Sequence, residues 1–367
     1  METKIKYVFC FSCLLVLLSV VIQYKFKKVK FCEAKTFSGC FVSFTKQDFQ
    51  KEFEKQVKDD GKFAKEFRKI DSTIIFKLFS STNSGVIVGK NDFLFEKPYI
   101  DEKFTINSDT GEKLNELAIK IKKVQDILYK NNIKFLYIIA PTKADFYSEF
   151  LPSKFQCIIV NSKSNKRNYT ILKEKLDKYK INYIDVNEFF IKNKNIAEYP
   201  LMTKYGIHWS NYGFYYFFNQ HLNPMFFNNS ISCELKVSKK QYGSDFDLGS
   251  LINLKQKYFR NEKLANFYNC KTSEKLPKVL LIGDSFTDIF YNNLKEYFND
   301  GLEQFRWWYY KKYFKFDGSE TNDLTIKDKI KVVKDKDIII FVNTTPNILN
   351  EDLIKFFDDI INEFEGK

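Results

Sequence analysis

The chain predicts a three-layer α/β fold with a mostly parallel sheet, on three observations. Short, largely apolar runs recur along it, at Ile133 to Ile139, at Lys278 to Ile282 and at Asp337 to Val342. Such runs suit strands covered on both faces. Amphipathic helical patterns separate them, so helix and strand alternate as in folds with crossover helices. The chain has 367 residues and 44% hydrophobic content, enough for one large domain with a substantial core and accessory elements.

From Tyr7 to Gln23 the chain is apolar apart from Ser12, Ser19 and Gln23, about the minimum length for a bilayer-spanning helix. Lys4 and Lys6 precede it, and Lys25, Lys27, Lys28 and Lys30 follow. Leu17 to Ile22 offers no small-x-small cleavage site, and neither Cys10 nor Cys13 has a lipoprotein context, so the segment reads as a transmembrane signal anchor. The lysine count on the two flanks argues for the large domain on the cytoplasmic side, although long domains can translocate despite such charges. Residues 1–24 are thus the expected anchor, 25–80 a helical stalk or lid, and 81–367 the main domain. In the stalk, Thr45 with Asp48 forms a capping pattern, and Phe49, Phe53 and Val57 follow at helical spacing. Gly61 breaks the pattern, which Phe63, Phe67 and Ile70 resume.

The main domain follows in order. Leu114, Leu117, Ile121, Val124 and Leu128 share one helical face ahead of the first strand. A lysine-rich helix from Asn165 to Lys180 leads to a strand ending near Val186. Then come the strand before Ser285, a helix through Leu294, an aromatic strand around Trp307, and the strand Asp337 to Val342 before a final helix.

The formal net charge of +13 is compatible with a polyanionic partner. Lysine, asparagine, isoleucine, tyrosine and the 40 phenylalanines have A/T-rich codons, however, so a low-GC genome accounts for the same composition. No basic-aromatic segment matches a nucleic-acid motif, and no zinc-like spacing, P-loop or dinucleotide fingerprint occurs, so neither nucleic acid nor a metal or other cofactor is expected. Of seven cysteines, Cys32 with Cys40 and Cys233 with Cys270 are candidate pairs, with unpaired thiols as the alternative; Cys157 reads as a buried thiol.

The chemistry centres on Lys278 to Phe286, a strand that breaks at Gly283 and delivers Ser285 to the start of a helix. A serine there sits at the carboxyl edge of the sheet, where the amides around Asp284 and Phe286 can stabilise an oxyanion. A plain capped turn is the alternative. Activation needs a base, and of two histidines only His208, in Lys204 to Gly213, precedes an aromatic helical stretch. His221, late in that stretch, reads as structural. Trp209, Trp307 and Trp308 are candidate sugar-stacking residues, with core packing as the alternative.

Strand-Gly-Asp-Ser-Phe with an upstream His-Trp-Ser-x-x-Gly resembles the SGNH-hydrolase-like proteins of alginate O-acetylation, the AlgX/AlgJ type. Val86 to Phe95, Phe135 to Pro152 and Asp247 to Leu251 are similar to further blocks of that family, in the same order. The resemblance implies a three-layer α/β/α SGNH-hydrolase-like domain exported across the membrane. It also implies a Ser285 nucleophile, a His208 base and a polysaccharide substrate, with acetyl supplied by a multi-pass membrane O-acyltransferase. One departure stands out. The family places an aspartate two residues before the histidine, where this chain has Gly206. A Ser–His dyad, an acid from elsewhere, and a catalytically silent module all follow as options. Asp185, ending the strand-like Ile181 to Val186, is the replacement candidate, with a helix-capping role as its alternative. If no acid is present, Gly206→Asp is expected to raise turnover.

The expected protein is therefore an O-acetyltransferase of envelope or extracellular polysaccharide, held in the cytoplasmic membrane by one span with its large domain outside. A carbohydrate esterase and a silent glycan-binding scaffold are the alternatives.

Overall fold

Five parallel strands, each delivering its carboxyl end to the same edge, form the centre of the molecule. The computed structural model describes residues 62–82, 85–104, 111–156, 166–241, 243–259, 262–272, 275–290, 292, 305–309, 312–314, 320–321 and 325–366. The expected anchor, most of the stalk, Cys32, Cys40 and Cys157 lie outside these. Among the described residues no helix is long and apolar enough to cross a membrane. The chain divides into Met1–Asp71 and Ser72–Lys367, so the larger unit begins inside the expected stalk. Of the smaller unit only the start of α1 (Lys62–Phe79) is described.

A small ribbon of β1 (Val86–Val88) and β2 (Leu94–Glu96) comes first, then α2 (Lys97–Lys103) and α3 (Gly111–Lys130). The central strands are β3 (Lys134–Ile139), β4 (Tyr183–Asp185), β7 (Val279–Gly283), β8 (Phe305–Tyr309) and β11 (Ile338–Asn343). β9 (Lys312–Phe314) and β10 (Glu320–Thr321) complete a seven-stranded sheet of order β10-β9-β8-β7-β11-β3-β4. Its pairs are parallel from β8 to β4, while β9 and β10 add an antiparallel edge.

The apolar runs become central strands because both faces are buried. Leu136, Ile138, Leu281, Ile340 and Val342 enter one core; Phe135, Tyr137, Ile139, Leu280, Ile282 and Phe341 enter the other. Each such side chain contributes about 1.5–3 kcal/mol by leaving water. The second core is covered by α3, α5 (Asn168–Lys178), α9 (Ile326–Lys334) and α10 (Glu351–Glu365). All five predicted apolar positions of α3, from Leu114 to Leu128, are buried there.

The first core carries the active edge. Over it lie β2, the short α4 (Lys143–Phe146), α6 (Val186–Asn193) and the aromatic α7 (Asn211–Phe217). A second ribbon, β5 (Ile231–Ser238) with β6 (Leu264–Thr272), packs on α7 through stacking of Phe267 on Tyr215. A disulfide joins Cys233 to Cys270 across this ribbon. The short α8 (Asp247–Leu251) lies between its strands in sequence. α1 adds Phe76, which meets Phe259 edge to face.

Candidate active site

β7 can end tightly because its last residue is glycine. A Cβ on Gly283 would lie 2.1 Å from the Val342 carbonyl and 2.6 Å from Thr287 Cγ2. The next residue, Asp284, is fully buried and accounts for its charge with hydrogen bonds. Its carboxylate accepts the Phe286 N–H at 3.0 Å, the Thr344 N–H at 2.9 Å, the Thr344 hydroxyl at 2.6 Å and the Asn347 amide at 3.1 Å. Asp284 therefore caps the short turn Ser285–Thr287 and ties it to the loop after β11. Ser285 is left partly exposed at the carboxyl edge of the sheet.

The histidine arrives on an irregular segment. Met202 bridges to Trp209, Gly206 N–H donates to Thr203 Oγ1 at 3.1 Å, and Gly249 N–H donates to the Tyr205 carbonyl at 3.0 Å. The Trp209 indole N–H reaches the Phe286 carbonyl at 3.2 Å, joining the histidine segment to the serine turn. This fixes the role of Trp209, which is wholly buried and stacked on Phe217. It is a core residue and cannot stack on a sugar.

Ser285, His208 and Asp247 form one hydrogen-bonded chain. His208 Nε2 lies 2.9 Å from Ser285 Oγ, and Nδ1 is bonded to an Asp247 carboxylate oxygen. The other oxygen of Asp247 accepts the Ile207 N–H at 2.8 Å and the Leu248 N–H at 2.6 Å, so the carboxylate is oriented as well as paired. With Nδ1–H donating to Asp247, Nε2 is free to accept the serine proton. Burial opposes charge on the imidazole, but the hydrogen bond and charge of Asp247, with smaller help from Asp288 and Asp284, raise its pKa overall. Asp288, one turn beyond Ser285, is pushed up to about 6, by burial first and then by Asp284 and Asp247. Glu96 is raised too, by burial and then by Asp247. The surroundings of the serine are thus acidic.

The source of the acid corrects the sequence reading. Asp185 is the N-cap of α6, accepting the Glu188 N–H at 2.9 Å, and it also takes the Tyr169 hydroxyl at 2.6 Å and Lys173 at 2.8 Å. Its capping alternative is the observed one. Asp185→Asn keeps a capping oxygen, so acetyl-ester turnover should stay within about twofold of wild type. A tenfold loss with the fold intact would return Asp185 to the site.

The amides nominated for the oxyanion are also engaged elsewhere. Phe286 N–H is held by the Asp284 side chain, and Asp284 N–H points to the Val342 carbonyl at 3.4 Å. The Ser285 N–H is the remaining backbone donor of the turn. Trp307 and Trp308 pair through their backbones with Leu281 and Ile282, while their side chains lie outside the described residues. His221 sits against Phe189 and Phe217, away from any hydrogen-bonding partner of its Nε2 among the described residues.

Asp247 is the residue missed as an acid. Its signal was the Asp-Leu block, whose place between the histidine and serine blocks was visible without its role.

Residues 86–216 match the family model described as "SGNH hydrolase-like domain, acetyltransferase AlgX". Two curated proteins called probable alginate O-acetylase AlgJ are similar. The one from Azotobacter vinelandii is 27% identical over 97 residues, 26% of this chain and 24% of that protein. The one from Pseudomonas putida is 32% identical over 76 residues, 21% of this chain and 19% of that protein. The matched stretch is therefore about a quarter or less of these relatives' length. The solved O-acetyltransferase domain of Pseudomonas putida AlgJ aligns over 76% of this chain and all of that one, at 15% identity and a TM-score of 0.47. Residues 86–216 are thus similar to the SGNH-hydrolase-like domain of AlgX-type acetyltransferases, and a shorter stretch of the chain is similar to AlgJ.

Proposed function

We propose that the chain is an O-acetyltransferase that moves acetyl through Ser285 onto hydroxyls of an envelope or extracellular polysaccharide. The observation that carries this reading is the 2.9 Å contact of Ser285 Oγ with His208 Nε2, backed by Asp247 on Nδ1. Ser285 Oγ attacks the carbonyl of the donor ester while His208 takes its proton. The tetrahedral oxyanion faces the Ser285 N–H. Collapse breaks the donor ester bond, and the protonated imidazole returns the proton to the departing oxygen. A sugar hydroxyl then attacks the acetyl-serine, losing its proton to His208, and Ser285 Oγ leaves and recovers that proton. No charge remains on the chain at the end of the cycle.

Residues 1–24 would hold the protein at the cytoplasmic membrane with its large domain outside, beside a multi-pass membrane O-acyltransferase that supplies acetyl. The Cys233–Cys270 disulfide favours such a compartment, since disulfides persist outside the reducing cytoplasm.

Full-length protein incubated with an artificial acetyl ester and a panel of oligosaccharides tests the reading. Acetylated oligosaccharide should accumulate with wild type and not with Ser285→Ala. Acetate release with no sugar product would mark an esterase. Turnover no higher than the Ser285→Ala background would leave a glycan-binding scaffold.

A further inference from the structure

Lys143 is a fully buried lysine at the carboxyl edge of β3, in the Pro-x-Lys turn that opens α4. Burying a cation is costly, and an aliphatic side chain would fill the same space at less cost. Its surroundings say why a lysine is there. Nζ donates to the Lys204 carbonyl at 2.8 Å and to the Gly206 carbonyl at 2.6 Å, with the rings of Phe93 and Phe95 at 5.9 and 5.5 Å.

Those two carbonyls belong to the irregular segment that ends in His208. Such a segment has no helix or sheet to satisfy its inward-facing backbone, and buried carbonyls need donors. The Lys204 carbonyl has a second donor in the Leu94 N–H at 3.1 Å. For the Gly206 carbonyl, Lys143 is the short contact. One residue further, Ile207 N–H is on Asp247, and the next side chain is the imidazole itself. Lys143 therefore grips the backbone two residues before His208, from the side of the segment that Asp247 does not hold.

We propose that Lys143 is a positioning residue for the reaction inferred above, clamping the Lys204 and Gly206 carbonyls so that His208 stays aligned between Ser285 and Asp247. The clamp does not depend on charge. Burial pushes the lysine down to about 7, against the opposing pull of Glu262 and Asp247. A neutral amine still has two N–H donors for two carbonyls.

Two consequences have opposite signs, which makes the idea testable. Removing a nearby cation would by electrostatics alone raise the pKa of His208. Loosening the segment would weaken the His208–Asp247 bond and lower it, because that bond is what offsets burial of the imidazole. The chain has only two histidines, so imidazole titration by NMR on the full-length protein is readable, with His221→Gln for assignment.

In Lys143→Met the His208 titration should fall by about one pH unit. Turnover of the acetyl ester should drop about tenfold or more in kcat with KM little changed. In Lys143→Arg, which retains donors, the titration should stay nearer the wild-type value. A His208 pKa unchanged or raised in folded Lys143→Met overturns the proposal. So does failure of both Lys143→Met and Lys143→Leu to fold, since the side chain would then support the core and not the histidine. Should wild type show no Ser285-dependent turnover, the acetyltransferase reading falls, and the imidazole titration still decides the role of Lys143.

Discussion

Asp247→Asn is expected to lower kcat for acetyl-ester turnover by about three to four orders of magnitude with KM little changed, the loss seen when the acid of a serine triad is disabled. An asparagine amide presents a donor where Nδ1–H needs an acceptor, so the imidazole is driven toward the tautomer that cannot take the serine proton. The Ile207 N–H also loses half of a charged partner. The pH profile should move with the rate. In wild type the base form of His208 appears only above a raised pKa, so kcat/KM should climb with pH through that value. In the variant burial is opposed only by the smaller pull of Asp288 and Asp284, and the acid limb should shift to lower pH. The sign for stability is opposite. An imidazole held more tightly protonated when folded adds stability that is fully present below its unfolded pKa and is lost as pH rises through the folded one. A variant retaining a tenth or more of wild-type kcat would remove Asp247 from the mechanism.

Gly206→Asp should inactivate and destabilise the protein, the reverse of the gain expected from sequence. A Cβ at this position would lie 2.2 Å from the Ser244 carbonyl and 2.7 Å from Thr203 Oγ1. The backbone would have to move in the segment that carries His208. Overpacking of this kind costs about 1–3 kcal/mol or more, and a second carboxylate near Asp247 adds repulsion. Thermal unfolding and ester turnover measured together decide it: an unchanged melting temperature with higher turnover would show that the site runs short of an acid. Glycine is required here by close approach, because its φ is not among the positive values of the chain.

The parts legible in the sequence were those with local signals. Three apolar runs are strands because a strand buried on both faces needs no alternation, and β3, β7 and β11 are such strands. Ser285 was visible because strand, glycine and serine are consecutive, and His208 because histidines are scarce. The acid was not, since Asp247 is 39 residues from His208 and meets it only through the fold. Asp185 was attractive because it ends a strand and so should reach the carboxyl edge of the sheet, yet capping α6 already occupies its carboxylate. The ribbon was legible only in part: β5 alternates strictly between apolar and polar residues, a strand signal the sequence reading passed over, while β6 lacks that pattern. Trp209 misled for the reason that tryptophan serves cores and sugar sites alike, and only its burial separates the two.

The Cys233–Cys270 bridge spans a sequence separation of 37, and Asp247 lies inside the loop it closes. In the chain-entropy treatment, a loop of that size removes about 4 kcal/mol worth of freedom from the unfolded chain. That restriction falls on the one stretch that must carry the carboxylate to an imidazole outside the loop. Oxidation state therefore bears on the site through folding: a thiol-reducing environment would return that freedom to the unfolded chain and so weaken the fold in which Asp247 meets His208.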